Sequence, residues 1–132
     1  MSAKSTKSKR KPSVVGATRS DDGFFKQFQA IGKIFDIEQQ TPVQSFLFVH
    51  ADLLPLLKEV HKALRRIFPD EHLHLDLVED PNEPEGTELR VKVRVAGAPS
   101  IELHRLEQFD QDWWHHNRQH VDRRLCVDLR FE

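Results

Sequence analysis

The chain holds a single cysteine, Cys126, only five glycines, and no apolar run approaching the roughly 18–20 residues a membrane helix needs. Each scarcity removes a class of protein. One thiol forms no internal disulfide, which excludes a disulfide-stapled scaffold and gives no sign of an oxidising compartment. The few glycines compose neither a phosphate loop of the G-x-x-x-x-G-K-[ST] type nor a G-x-G-x-x-G dinucleotide fingerprint, so no nucleotide-binding enzyme and no cofactor are expected. The N-terminus lacks the apolar stretch of a secretory signal. A cytoplasmic protein without membrane association is the expectation.

What is present suits one small domain of 132 residues and 15.4 kDa. The net charge of −1 conceals an asymmetry. Residues 1–20 carry Lys4, Lys7, Lys9, Arg10, Lys11 and Arg19 with no acid, while every acidic residue lies from Asp21 onward. Ser, Lys and Pro dominate Met1 to Ser13 without apolar periodicity, so residues 1–20 read as a disordered basic tail and 21–132 as a single acidic body.

In the body, Phe24, Phe25, Phe28, Ile31 and Phe35 recur at helical spacing and predict a helix capped by Asp21 or Asp22 and ending between Gly32 and Asp36. Val43 to His50 is a short run rich in Val and Phe after Pro42 and predicts a strand with apolar residues on both faces. Leu53, Leu56, Leu57, Val60, Leu64 and Ile67 predict a helix from about Asp52, its N-cap, to Phe68, with Pro55 tolerated in the first turn. Alternation predicts strands at His72–Glu79, Thr87–Val95 and Leu125–Glu132, the first two joined by an acidic loop from Asp80 to Gly86. Ser100 is the expected cap of a helix presenting Leu103, Leu106, Phe109 and Trp113 inward, with Trp114 at its flank. The order is β-α-β-β-α-β after an extra N-terminal helix. It predicts an α+β fold of the ferredoxin-like, split βαβ type.

The chemistry-bearing groups are sparse. Asp112, His116 and His120, four apart on one helix stripe, form the best candidate metal cluster, but no zinc motif surrounds them, and a solvated histidine-rich helix end is the better reading of the spacing. His72, His74 and Asp76 alternate on one strand face, an arrangement that suits either part of a hydrolytic relay or an ordinary solvated face. No Ser or Cys occupies a nucleophile elbow, so no catalytic residue is assigned. Nucleic-acid binding draws on the tail lysines and Arg10 together with Lys58, Lys62, Arg65 and Arg66 along one helix face; against it, the polar strand positions carry charges rather than base-stacking aromatics.

The stretch Leu106-Glu107-Gln108-Phe109-Asp110-Gln111-Asp112-Trp113-Trp114, followed by Leu125 to Phe131, resembles small uncharacterised prokaryotic proteins that end in a helix with F-D-x-x-W-W and a terminal strand. The resemblance covers the body from Asp52 and implies a bacterial origin and an α/β domain, with no activity, cofactor or catalytic residue to carry over. Function is therefore expected from surfaces. The apolar set Phe24, Phe25, Phe28, Ile31 and Phe35 either completes the core against Phe46 and Phe48 or docks into a protein partner or a second copy. The expected function is a noncatalytic protein-interaction module, more narrowly an antitoxin, immunity or accessory subunit of a small bacterial operon. The alternatives are a nucleic-acid-binding protein and a small hydrolase with a His/Asp site.

Overall fold

The computed structural model describes residues 16–80 and 82–132. Helix α1 (Gly16–Ile34) leads into a two-residue strand β1 (Asp36–Ile37), then helices α2 (Gln40–Val49) and α3 (Leu53–Ile67). Strands β2 (Leu73–Asp80) and β3 (Glu83–Val95) form a hairpin, and a long helix in three parts, α4 (Pro99–Phe109), a π turn (Asp110–Trp114) and α5 (His115–Val121), returns the chain to β4 (Leu125–Phe131). No helix among the described residues is long and apolar enough to cross a membrane.

The fold is α+β, but the ferredoxin-like order is not the one observed. The four-stranded sheet runs β1-β2-β3-β4, parallel, antiparallel and parallel in turn. A split βαβ unit needs a strand between the two that a crossover joins. Here each crossover, α2–α3 and α4–α5, joins immediate neighbours.

The difference begins at Val43–His50, predicted as a strand and found within α2. A short apolar run does not distinguish a covered strand from a buried helix segment by periodicity. Only Val43 and Leu47, one helical turn apart, are buried, and Pro42 sits in the first turn where backbone N–H groups lack intrahelical partners. The strand role passes to Asp36–Ile37, which pairs with His74 and Leu75.

Other boundaries moved for local reasons. Helix α1 starts at Gly16, so the domain boundary expected at Asp21 falls inside it and Asp21 and Asp22 are not its caps. Asp52 makes no capping hydrogen bond, because its carboxylate is engaged by the Arg124 guanidinium at 2.9 and 2.8 Å. Ser100 is not the cap of α4 either: Pro99 occupies the first helical position, where its missing N–H is harmless. The acidic loop is shorter than expected, since β3 already pairs with β2 at Glu83, past an irregularity between Val78 and Asp80.

The core lies between the helices and one sheet face. Leu53, Leu54, Leu57, Val60, Ala63 and Leu64 bury the apolar side of α3, and Leu73, Leu75, Leu89, Val91, Val93 and Leu125 meet it from the strands. Fully burying each large apolar side chain contributes roughly 1.5–3 kcal/mol before entropy is counted. Helix α1 folds back over α3, burying Phe24, Phe28, Ile31 and Phe35. Phe109 of α4 and Trp113 of the π turn are buried as expected and Leu106 packs against the core, whereas at the start of α4 the inward position is Glu102 and Leu103 is half exposed. Glu102 is tolerated because its carboxylate accepts from the Gly97 N–H at 3.1 Å and from Arg105 at 2.7 Å. A Cβ on Gly97 would stand 2.8 Å from that carboxylate, so a larger residue there requires the Glu102 side chain to shift. Arg105 also donates to the Ile67 carbonyl at 2.6 Å and lies 4.4 Å over the Phe68 ring, tying α4 to the end of α3.

Candidate functional site

Phe24 and Phe25 are adjacent on α1, about 100° apart around the helix, so when one faces the core the other does not. Phe24 is buried and stacks on Phe28 at 5.8 Å, while Phe48 of α2 meets it edge-on at 5.2 Å. Phe25 is 50% exposed, Phe48 55% and Val49 75%. With Thr41, Gln44 and Ser45 these residues line a groove of about 530 Å3 between α1 and α2. The groove exists because α2 carries more apolar residues than its buried side accepts: Val43 and Leu47 fill the inner positions, and Phe48 and Val49 follow them round to solvent. Of the five residues in the expected interaction set, Phe24, Phe28, Ile31 and Phe35 belong to the core, and Phe24 and Phe25 line the groove. The expected meeting of the Phe-rich helix with Phe48 is observed, though Phe48 stands on a helix rather than a strand, and Val49 joins the exposed apolar surface because α2 replaces that strand. The four-residue step from Val43 to Leu47 is the signal that separates the two.

The basic set is dispersed in role. Lys4, Lys7, Lys9, Arg10 and Lys11 lie outside the described residues. Lys58, Lys62 and Arg66 are exposed on α3, whereas Arg65 donates to the carbonyls of Phe68 at 3.1 Å and Glu71 at 2.7 Å, closing the helix end. Asp112 lies within the π turn and His116 and His120 in α5, so the wider winding breaks the step from Asp112 to His116. Among the described residues, no three His, Cys, Asp or Glu side chains come together as a metal requires.

His72, His74 and Asp76 sit on the sheet face away from the helices, and the acid beside histidine is not the one the strand pattern suggested. His74 Nδ1 lies 3.2 Å from Glu38, delivered by the turn after β1, and its geometry falls short of a hydrogen bond. Arg130 reaches the same carboxylate at 3.3 Å. Asp76 accepts from Gln39 at 2.8 Å and lies 3.6 Å from Lys92. Gln39 is held at φ 53, a left-handed conformation that its bond to Asp76 helps to fix. The remaining nucleophile on this face, Cys126, is half-buried, and desolvation pushes its thiol pKa up, the opposite of what a reactive cysteine needs. The face is a lattice of ion pairs without an activated nucleophile.

No family model, curated protein or solved structure matches this chain.

Proposed function

We propose that the protein is a noncatalytic protein-interaction module that takes an apolar segment of a partner protein into the α1–α2 groove. One observation carries this reading: Phe25, Phe48 and Val49 form a continuous apolar surface lining a concavity, on helices anchored by Phe24, Phe28, Val43 and Leu47. Scattered exposed apolar residues are ordinary, but a grouped set in a groove is the form in which amphipathic helices are recognised. Thr41, Gln44 and Ser45 supply hydrogen bonds without charge, so the fitting ligand presents large uncharged side chains and does not depend on ion pairing. The narrower reading as an antitoxin, immunity or accessory subunit rests on small size and an acidic body alone.

Val49 is mostly solvent-exposed, so Val49→Asp leaves the melting temperature near that of the wild type while placing a charge in the groove. Native purification of wild type and variant tests the reading. A stoichiometric protein partner held by the wild type and lost by Val49→Asp supports it. Retention of that partner by the variant, or recovery of nucleic acid in place of protein, overturns it.

A further inference from the structure

Strand β4 ends the sheet, and its outer edge has no backbone partner among the described residues. The Arg124 carbonyl and the Glu132 N–H both point to β3, so along this strand the backbone groups of even-numbered residues face inward and those of Leu125, Val127, Leu129 and Phe131 face the free edge. One of these edge groups is provisionally satisfied: the Leu129 N–H donates to the Asp128 carboxylate at 2.9 Å. Phe131, on the edge strand itself, is an exposed apolar side chain at 46%.

We infer that β4 pairs antiparallel with β4 of a second copy about a two-fold axis through Leu129, making one continuous eight-stranded sheet. Charge complementarity selects both the partner and the register. With Leu129 opposite Leu129, Asp128 of each copy stands directly across from Arg130 of the other, and Val127 stands across from Phe131. Shifting the axis to Asp128 or to Arg130 sets like charges against each other, and a shift by a single residue places apolar side chains on the polar face. In the favoured register the Leu129 and Val127–Phe131 pairs are those whose backbone groups face outward, so the intermolecular hydrogen bonds form without rotating the strand. Asp128 and Arg130 are both exposed, and each exchanges a partner within its own chain for the other copy: Asp128 gives up the Leu129 N–H and Arg130 gives up Glu38, which keeps His74 beside it, while the Leu129 N–H passes to the opposing Leu129 carbonyl. This surface is separate from the α1–α2 groove, so dimerisation and partner capture stand or fall independently.

Sedimentation equilibrium of the full chain, from micromolar to millimolar concentration, tests the dimer. The wild type is expected to associate reversibly. Asp128→Arg and Arg130→Asp each set like charges opposite one another twice per dimer and are expected to weaken association about tenfold, with the double reversal restoring it. Leu129→Cys in a Cys126→Ser background adds a register check, because opposed residues at a backbone-bonded position lie within disulfide reach. Oxidation is expected to give a covalent dimer. A wild type monomeric throughout, association indifferent to the charge reversals, or no cross-link through position 129 overturns the proposal.

Discussion

On one face of the sheet Leu75, Leu89, Val91 and Val93 are fully buried beneath the helices; on the other, one residue along the same strands, Asp76, Arg90 and Lys92 form a charged lattice. The covered face selects side chains by volume and leaves little freedom to exchange partners. The open face selects by pairing, and its pairs are shared: Glu38 serves both His74 and Arg130, and Asp76 serves Gln39, Lys92 and the Leu77 N–H. The difference teaches where sensitivity should lie. A lost contact under the helices leaves a void or an unpaired charge, whereas at the exposed rim of the other face, as at Arg94 and Glu132, it is replaced by water or by a neighbouring charge; Asp76, buried at the centre of that face, depends on its partners as the covered groups do.

The largest effect is expected at Trp113, which is buried, stacks on Phe109 at 6.0 Å and directs its indole N–H to Glu59 at 3.3 Å. Trp113→Ala is expected to destabilise by about 3–5 kcal/mol, and Trp114→Ala, at the margin of the core, by less. Chemical denaturation of the two variants checks the ranking. Equal losses would place Trp114 as deep in the packing as Trp113, and small losses at both would mean that the helix layer tolerates voids as the exposed rim of the other face tolerates lost pairs.

Arg105 is next. Glu102 is only 4% exposed, and Arg105→Met leaves its carboxylate with the Gly97 N–H as its remaining hydrogen-bond partner. Breaking a buried pair from one side costs about 3 kcal/mol, here at the lower end of the usual range because Arg105 itself is partly exposed. Adding Glu102→Gln is expected to recover part of the loss by removing the stranded charge. A double variant no better than the single would assign the effect to the other contacts Arg105 makes, with the Ile67 carbonyl, Glu71 and the Phe68 ring.

Sequence periodicity revealed most of the covered face and little of the open one. Strands β2, β3 and β4 and helix α3 were legible because each keeps one strict period over seven or more residues. Helix α2 was not, because its ten residues place apolar groups on all sides and the pattern fits a two-faced strand as well. Strand β1 was invisible: two residues carry no period, and pairing with β2 alone defines them. The topology followed from that error, since the ferredoxin-like order was drawn from a strand that is a helix. The groove was half legible. Phe25 and Phe48 are legible as parts of one apolar surface, but Val49 joins them only through the docking of α2 beside α1. The pairing of Glu38 with His74 and of Asp52 with Arg124 depends on turns that bring distant segments together, and no local pattern encodes it.

The smallest effect is expected on the open face, at Glu132. Its hydrogen bond with Arg94 lowers the carboxyl pKa below the ordinary glutamate value, and the lowered value fixes the direction of the pH dependence. A carboxyl whose folded pKa is depressed adds stability that is fully present above the ordinary value, about 4.3, and is lost as pH falls through the folded value. Because the pair lies on the solvated surface, water and salt screen it, and the contribution is small at any pH. Thermal melts of wild type and Glu132→Gln, taken from neutral pH into acid, are expected to show a slight advantage for the wild type that is constant near neutrality and vanishes in acid. Raising the ionic strength at neutral pH is expected to shrink the same gap. A gap as large as that of Arg105→Met, or one unchanged by both acid and salt, would show that Arg94 and Glu132 are as constrained as the groups beneath the helices, and the contrast between the two faces would fail at that point.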